Sequence, residues 1–187
     1  LFGSSFSGGH VIAVGAQDPE IAAVIAQCPF TDGLASLPKL GVSNIVKATI
    51  AGLEDEVGAI RGSAPRYIPA VGPPGSFAVM TTPDSQPGFE ALLPPDTLWE
   101  NRVAARIALR VAAYRPGLAA ARLHCPALFC VCDSDTVAPA DRTEKLVSRA
   151  GQGELKRYPV GHFDIYRGAA WEEAVLDQSE FLVRHLG

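Results

Sequence analysis

Leu1-Phe2-Gly3-Ser4-Ser5-Phe6-Ser7-Gly8-Gly9-His10 opens the chain and runs directly into the apolar stretch Val11-Ile12-Ala13-Val14. It reads as a strand end, a sharp turn carrying a serine, and the first turn of a helix. A serine on such a turn takes a strained backbone conformation, so the residues two before and two after it must be small. Around Ser5 these are Gly3 and Ser7, and both fit. Ser4 is excluded, because Phe2 and Phe6 would fill the cramped positions. Ser7, flanked by Ser5 and Gly9, is sterically possible. Ser5 is favoured over it because Leu1-Phe2 puts the strand end just before Gly3. Gly8 and Gly9 then fall in the first helical turn, where helix and sheet pack closely.

Beyond that helix, Asp18-Pro19 marks its exit. Ile21 to Ala26 is an unbroken apolar run ended by Pro29, short enough for a strand buried on both faces of a parallel sheet. The same alternation returns late in the chain. Ala127 to Cys132 reads as a buried strand, Ala140 to Arg149 as a helix entered through Ala138-Pro139, and Glu154 to Tyr158 as a shorter strand. Trp171 to His185 reads as a closing amphipathic helix with Ala174, Leu176, Phe181 and Leu182 available to pack. The stretch 31–117 interrupts this order. Eight of the fifteen prolines lie between Pro65 and Pro95, with a helix expected over Asn44 to Ile60 before them. A second helix is expected over Leu98 to Ala113, where Trp99, Val103, Ile107 and Val111 recur every four residues beside an Arg102, Arg106, Arg110 stripe. An insertion of this kind between core strands suggests a cap or lid over a binding site. The expected organisation is therefore core at 1–30, cap insertion at 31–117 and core at 118–187.

With 187 residues, 48% of them apolar, the chain is long enough to bury a sizeable core. A net charge of -4 gives no reason to expect nucleic acid or an anionic membrane surface as partner. No apolar run is long enough to span a bilayer. Cys28, Cys125, Cys130 and Cys132 lie in or beside apolar strands and read as buried reduced thiols, which favours a cytoplasmic setting. The opening Leu1-Phe2 looks like the tail of a strand whose earlier part is absent, so the expectation is the C-terminal part of a longer protein. Nothing in the sequence sets the oligomeric state.

A serine hydroxyl needs a base to take its proton before it can attack a carbonyl, and histidine is suited to that at neutral pH. Of His10, His124, His162 and His185, only His162 lies in a loop after a late strand, in Gly161-His162-Phe163. The imidazolium formed during reaction needs a carboxylate behind it. Asp135, just past the strand 127–132, is favoured, with Asp133 as the alternative. Serine, acid and histidine thus stand in one chain order at three strand exits. Gly8-Gly9 is no phosphate loop, because no lysine with serine or threonine follows it.

These residues, Gly3 to Gly9, Asp135-Thr136-Val137-Ala138-Pro139 and Gly161-His162-Phe163-Asp164, resemble the α/β-hydrolase superfamily, and most of all its serine-aminopeptidase-like and dienelactone-hydrolase-like branches. The resemblance covers 1–30 and 118–187. It implies a partial α/β-hydrolase fold, a parallel sheet flanked by helices, with a helical, Pro-rich cap insertion and the N-terminal strands missing. It implies Ser5 as nucleophile, Asp135 as acid, His162 as base and the backbone N–H of Phe6 as one oxyanion donor. The superfamily's second donor would lie upstream. The expected function is hydrolysis of a small-molecule acyl substrate, an ester before an amide, with no cofactor and no metal. Two alternatives stand beside it: an aminopeptidase-like enzyme using Glu54, Asp55 or Glu56 to hold a substrate amine, and a binding protein that keeps the fold without the chemistry.

Overall fold

The computed structural model describes residues 1–39 and 41–187. In chain order the elements are β1 (Phe2–Ser4), α1 (Phe6–Gly15), β2 (Val24–Gln27), α2 (Gly33–Ser36) and α3 (Val42–Ile60). There follow β3 (Tyr67–Ile68), α4 (Ser85–Glu90), β4 (Val103–Ala104) and α5 (Ala108–Val111). The chain closes with β5 (Ala127–Cys132), α6 (Ala140–Val147), β6 (Gly153–Tyr158) and α7 (Gly168–Leu186). These fall into two compact units. Leu1–Asp32 with Arg115–Gly187 forms one, and Gly33–Tyr114 forms the other.

The first unit is built on a four-stranded sheet in the order β1-β2-β5-β6. Every pairing is parallel: Gly3 stands beside Ala26, Ala26 beside Phe129, and Phe129 beside Leu155. The central strands β2 and β5 are buried at every residue, which is why their sequences are apolar runs with no alternation. Side chains still alternate between faces. Val24, Ala26, Ala127 and Phe129 pack with Val11 and Ile12 of α1, Leu123 and Val147. Ile25, Leu128, Cys130 and Cys132 pack on the other face with Ile165 and with Ala174 and Phe181 of α7. At the end of the sheet order, β6 exposes Lys156 and Arg157 beside Leu155, with Glu154 half-buried, and its charges discourage further strand pairing.

One expectation about helix faces changes here. In α7, Ala174 and Phe181 are fully buried, but Leu176 is 60% exposed and Leu182 39% exposed, so the packing stripe is narrower than the sequence suggests. Near the end of the same helix, His185 Nε2 lies 2.9 Å from Glu154 Oε1.

The second unit holds the 19-residue helix α3 and the two-residue antiparallel ladder of β3 and β4. Its apolar core is small: Ala51, Ile68 and Ala105, with Phe77, Val79 and Val103 packed against them. The helix expected over Leu98 to Ala113 is mostly absent. Val103–Ala104 is strand, Ala105–Ile107 is a 3-10 turn, and only Ala108–Val111 is α-helical. The four-residue recurrence there is incidental. Trp99 stacks on Phe89 at 4.8 Å, Val103 pairs with Ile68 in the ladder, and the arginines follow their acidic partners. Asp55 is the buried anchor. It accepts from the backbone N–H of Arg66 and of Arg106 and receives the Arg106 guanidinium through Nε at 2.7 Å and Nη2 at 2.9 Å. The Arg106 guanidinium, aided by those backbone N–H groups, holds the Asp55 carboxyl well below the usual carboxylate range.

Candidate active site

The turn between β1 and α1 has the geometry its sequence predicts. Ser5 sits at φ 53, ψ -119, a conformation a non-glycine residue holds only when its surroundings enforce it. The enforcement is visible on both sides of the residue. Ser5 N–H donates to Gln27 O at 2.9 Å, and Ser5 O accepts from Phe30 N–H at 2.8 Å. A side chain on Gly3 would lie 2.3 Å from Ser7 O, and one on Gly9 would lie 2.3 Å from Phe30 O. Gly8 is also crowded, though less so, against Pro29 at 2.9 Å. The glycines thus let α1 settle onto the end of β2 and the loop beyond it, which presents the Ser5 hydroxyl at the carboxyl end of the sheet.

The loops after β5 and β6 open at the same end. The structure brings His162 to Ser5, with Nε2 3.0 Å from Ser5 Oγ. On the other side of the ring, Nδ1 lies 2.7 Å from Asp135 Oδ2. His162 is 2% and Asp135 9% exposed. Asp135 is itself fixed, because its Oδ1 accepts from the backbone N–H of Val137 at 2.8 Å and of Ala138 at 2.6 Å. The contact with the Asp135 carboxyl suits the tautomer with the ring proton on Nδ1. Nε2 is then left as an acceptor facing the serine hydroxyl.

The alternatives go elsewhere. Ser7 Oγ donates to Ser4 O at 2.7 Å and accepts from Ser4 N–H at 2.9 Å, serving the turn itself. Asp133 binds Arg157 at 2.8 Å on the surface. His10 is exposed, with its ring edge-on to Phe6 at 4.9 Å. His124 lends its carbonyl to Gln152. Phe6 heads α1, at the positive end of that helix's dipole. In the second unit, Glu54, Asp55 and Glu56 pair with Arg66, Arg106 and Arg110 respectively. Arg102 lies over the Tyr67 ring at 4.6 Å and pairs with Glu100. The stripe is therefore a set of ion pairs internal to that unit.

All four cysteines are free and buried, and among the described residues no group of histidine, cysteine and carboxylate side chains has the arrangement to hold a metal. Three of these thiols, with Tyr166, Ser4 and Gln27, form a polar layer under the serine turn that the motif reading missed. Burial alone would push the Cys28 thiol up, but hydrogen bonding with Cys132, helped by His162, Tyr166 and Ser4, draws it down to about 6. No motif marks these residues; the one available signal was that Tyr166 falls in the same loop as His162.

A parallel sheet covered on both faces, a serine on a strained strand-to-helix turn and a histidine loop after the last strand give the chain an α/β-hydrolase fold. Among solved structures, it superimposes on the alpha/beta hydrolase GrgF of Penicillium sp. sh18 with a TM-score of 0.76 at 23% identity, over 100% of this chain and 63% of that one. It matches the monoacylglycerol lipase of Paleococcus ferrophilus with a TM-score of 0.71 at 22% identity, over 99% and 68%. In sequence it is 44% identical to the quorum-quenching protein AidA of Acinetobacter baumannii (strain MDR-ZJ06), over 98% of this chain and 60% of that protein. The chain thus spans about three fifths of the length of that relative. No sequence-family model matches it. Among the described residues, no helix is long and apolar enough to cross a membrane.

Proposed function

We propose that this chain carries the catalytic residues of a serine hydrolase that transfers an acyl group to water, with a carboxylic ester or lactone as substrate. The observation that supports this most is a single imidazole bridging Ser5 Oγ at 3.0 Å and Asp135 Oδ2 at 2.7 Å. In this reading His162 takes the Ser5 proton as Oγ attacks the carbonyl, and Asp135 keeps Nδ1 protonated and steadies the imidazolium. The Phe6 backbone N–H donates to the developing oxyanion. Collapse of the tetrahedral species expels the alcohol, which takes its proton from His162. A water, deprotonated by the same ring, then releases the acid from Ser5. The unit 33–114 is proposed as the cap that shapes substrate choice.

An ester asks less of the site than an amide, since its leaving group departs more readily. The aminopeptidase alternative loses support because Glu54, Asp55 and Glu56 already neutralise arginines of their own unit. The relative described as quorum-quenching supports a physiological setting in which the substrate is a diffusible signal with a hydrolysable acyl bond. Four reduced cysteines favour a cytoplasmic site of action.

The test uses the full-length protein. A fluorophosphonate should form an adduct on Ser5 that is lost in Ser5→Ala. Acyl esters and lactones of graded chain length should be turned over faster than aminoacyl amides. Absence of an adduct would favour the binding-protein alternative, and faster amide turnover would favour the peptidase.

A further inference from the structure

The hydrogen bond between Ser5 and His162 cannot hold the histidine loop in place by itself, because that bond changes hands at each step of an acyl transfer. A second contact ties the loop to the serine turn. Tyr166 ends the 3-10 turn Asp164–Tyr166, four residues after His162. Its hydroxyl lies 2.6 Å from Ser4 Oγ and 3.2 Å from Cys28 Sγ. Ser4 is the residue before the proposed nucleophile. Cys28 directly follows β2 and is the other non-glycine residue besides Ser5 held at positive φ among the described residues, at 34°. One phenol therefore touches both segments that force Ser5 into its strained conformation.

The contact extends into the core. Ser4 Oγ accepts from Gln27 Nε2 at 3.2 Å, and Gln27 Oε1 accepts from Gln178 Nε2 of α7 at 2.7 Å. Between His162 and Tyr166 the chain has little slack. Gly161 N–H donates to Asp164 Oδ2 at 3.0 Å, Asp164 N–H donates to Gly161 O at 3.2 Å, and the two rings stand 6.4 Å apart. Burial, with Cys28 beside it, pushes the Tyr166 phenol well above its ordinary range, so it remains a neutral hydroxyl throughout the working pH range.

We infer that Tyr166 is a positioning residue for the acyl transfer, its hydroxyl clamping the histidine loop to Ser4 so that the imidazole keeps its distance from Ser5. The inference rests on the hydrolase reading above. Misplacing a reacting group by about an ångström costs on the order of a hundredfold in rate, and that sets the size of the effect to look for.

The experiment compares Tyr166→Phe and Ser4→Ala with wild type in the full-length protein, with kcat expressed per fluorophosphonate-titrated site so that any unfolded fraction drops out. Each variant should lose roughly tenfold to a hundredfold in kcat with KM little changed. The double variant should be no worse than the poorer single one, because both remove one contact. Values of kcat per site within about twofold of wild type in both variants would overturn the inference, as would losses that multiply in the double. A wild type that takes no fluorophosphonate would refute the hydrolase reading instead. The clamp would then still be decided by the imidazole 15N resonances of His162, which should broaden or shift in Tyr166→Phe and would stay unchanged if the hydroxyl does not restrain the loop.

Discussion

Each of the two units buries a carboxylate in the grip of two backbone N–H groups and one basic side chain, and the choice of that side chain separates them. In the sheet unit, Asp135 is held by the N–H groups of Val137 and Ala138 and faces the imidazole of His162. In the insertion, Asp55 is held by the N–H groups of Arg66 and Arg106 and faces the Arg106 guanidinium. An imidazole gains and loses a proton near neutral pH, whereas a guanidinium never gives one up. The first pair has the arrangement to take a proton from the Ser5 hydroxyl; the second can only fasten α3 to the segment around β3 and β4. Burial and hydrogen bonding of a carboxylate do not mark a reactive site until the partner's chemistry is known.

The contrast can be broken most directly at the sheet unit. Ser5→Ala and Asp135→Asn should each lower kcat by about ten-thousandfold or more, read as ester turnover by the full-length protein with its unfolding midpoint nearly unchanged. Residual turnover within tenfold of wild type in Asp135→Asn would place the carboxylate on the structural side with Asp55. Phe181→Ala, which empties a fully buried ring position under the sheet, should cost about 3–5 kcal/mol in denaturant unfolding. Leu176→Ala on the same helix, at a site 60% exposed, should cost under about 0.5 kcal/mol.

Asp55→Asn probes the other side of the comparison. It should lower the thermal midpoint by several degrees while fluorophosphonate capture by Ser5 stays within about threefold of wild type. Its pH dependence has a definite sign. The folded Asp55 carboxyl is depressed by Arg106, so the stability it provides is complete above the unfolded value near 4 and drains away as pH falls through the lower folded value. Wild type should lose its stability advantage over Asp55→Asn in acid, read from melts between about pH 6 and pH 2. The smallest effect is expected at Asp133→Asn, whose partner Arg157 is half exposed; a turnover change within about twofold would separate it from its neighbour Asp135.

How much could be read in advance follows the same division. Buried parallel strands announce themselves as short apolar runs, so β2 and β5 were legible, and the steric demand of the serine turn left its mark in Gly3, Ser7, Gly8 and Gly9. That Ser5, Asp135 and His162 would meet was legible because strand exits fix where side chains can come together. In the insertion α3 was legible as a helix, but the rest was not, because its organisation depends on long-range ion pairs such as Arg106 with Asp55, 51 residues apart. Those leave no local period, and the apparent period over Leu98 to Ala113 misled for that reason. Tyr166 and Ser4 were illegible for a related cause. A hydroxyl that bonds across 162 residues looks in sequence like any other loop tyrosine.

The insertion leaves and rejoins the sheet unit at what is nearly a single point along the backbone. Gly33 N–H donates to Tyr114 O at 2.9 Å, Gly117 N–H donates to Thr31 O at 2.9 Å, and between these bonds Asp32 grips Arg115 at 3.0 Å and Arg142 at 2.7 Å. A closed neck of this kind makes everything from Gly33 to Tyr114 exchangeable. A short hairpin spliced in its place meets ends already held side by side, and β2 and β5 can still find one another. Diversification of such a chain has a natural cassette, which can be exchanged while β2 and β5 keep their pairing.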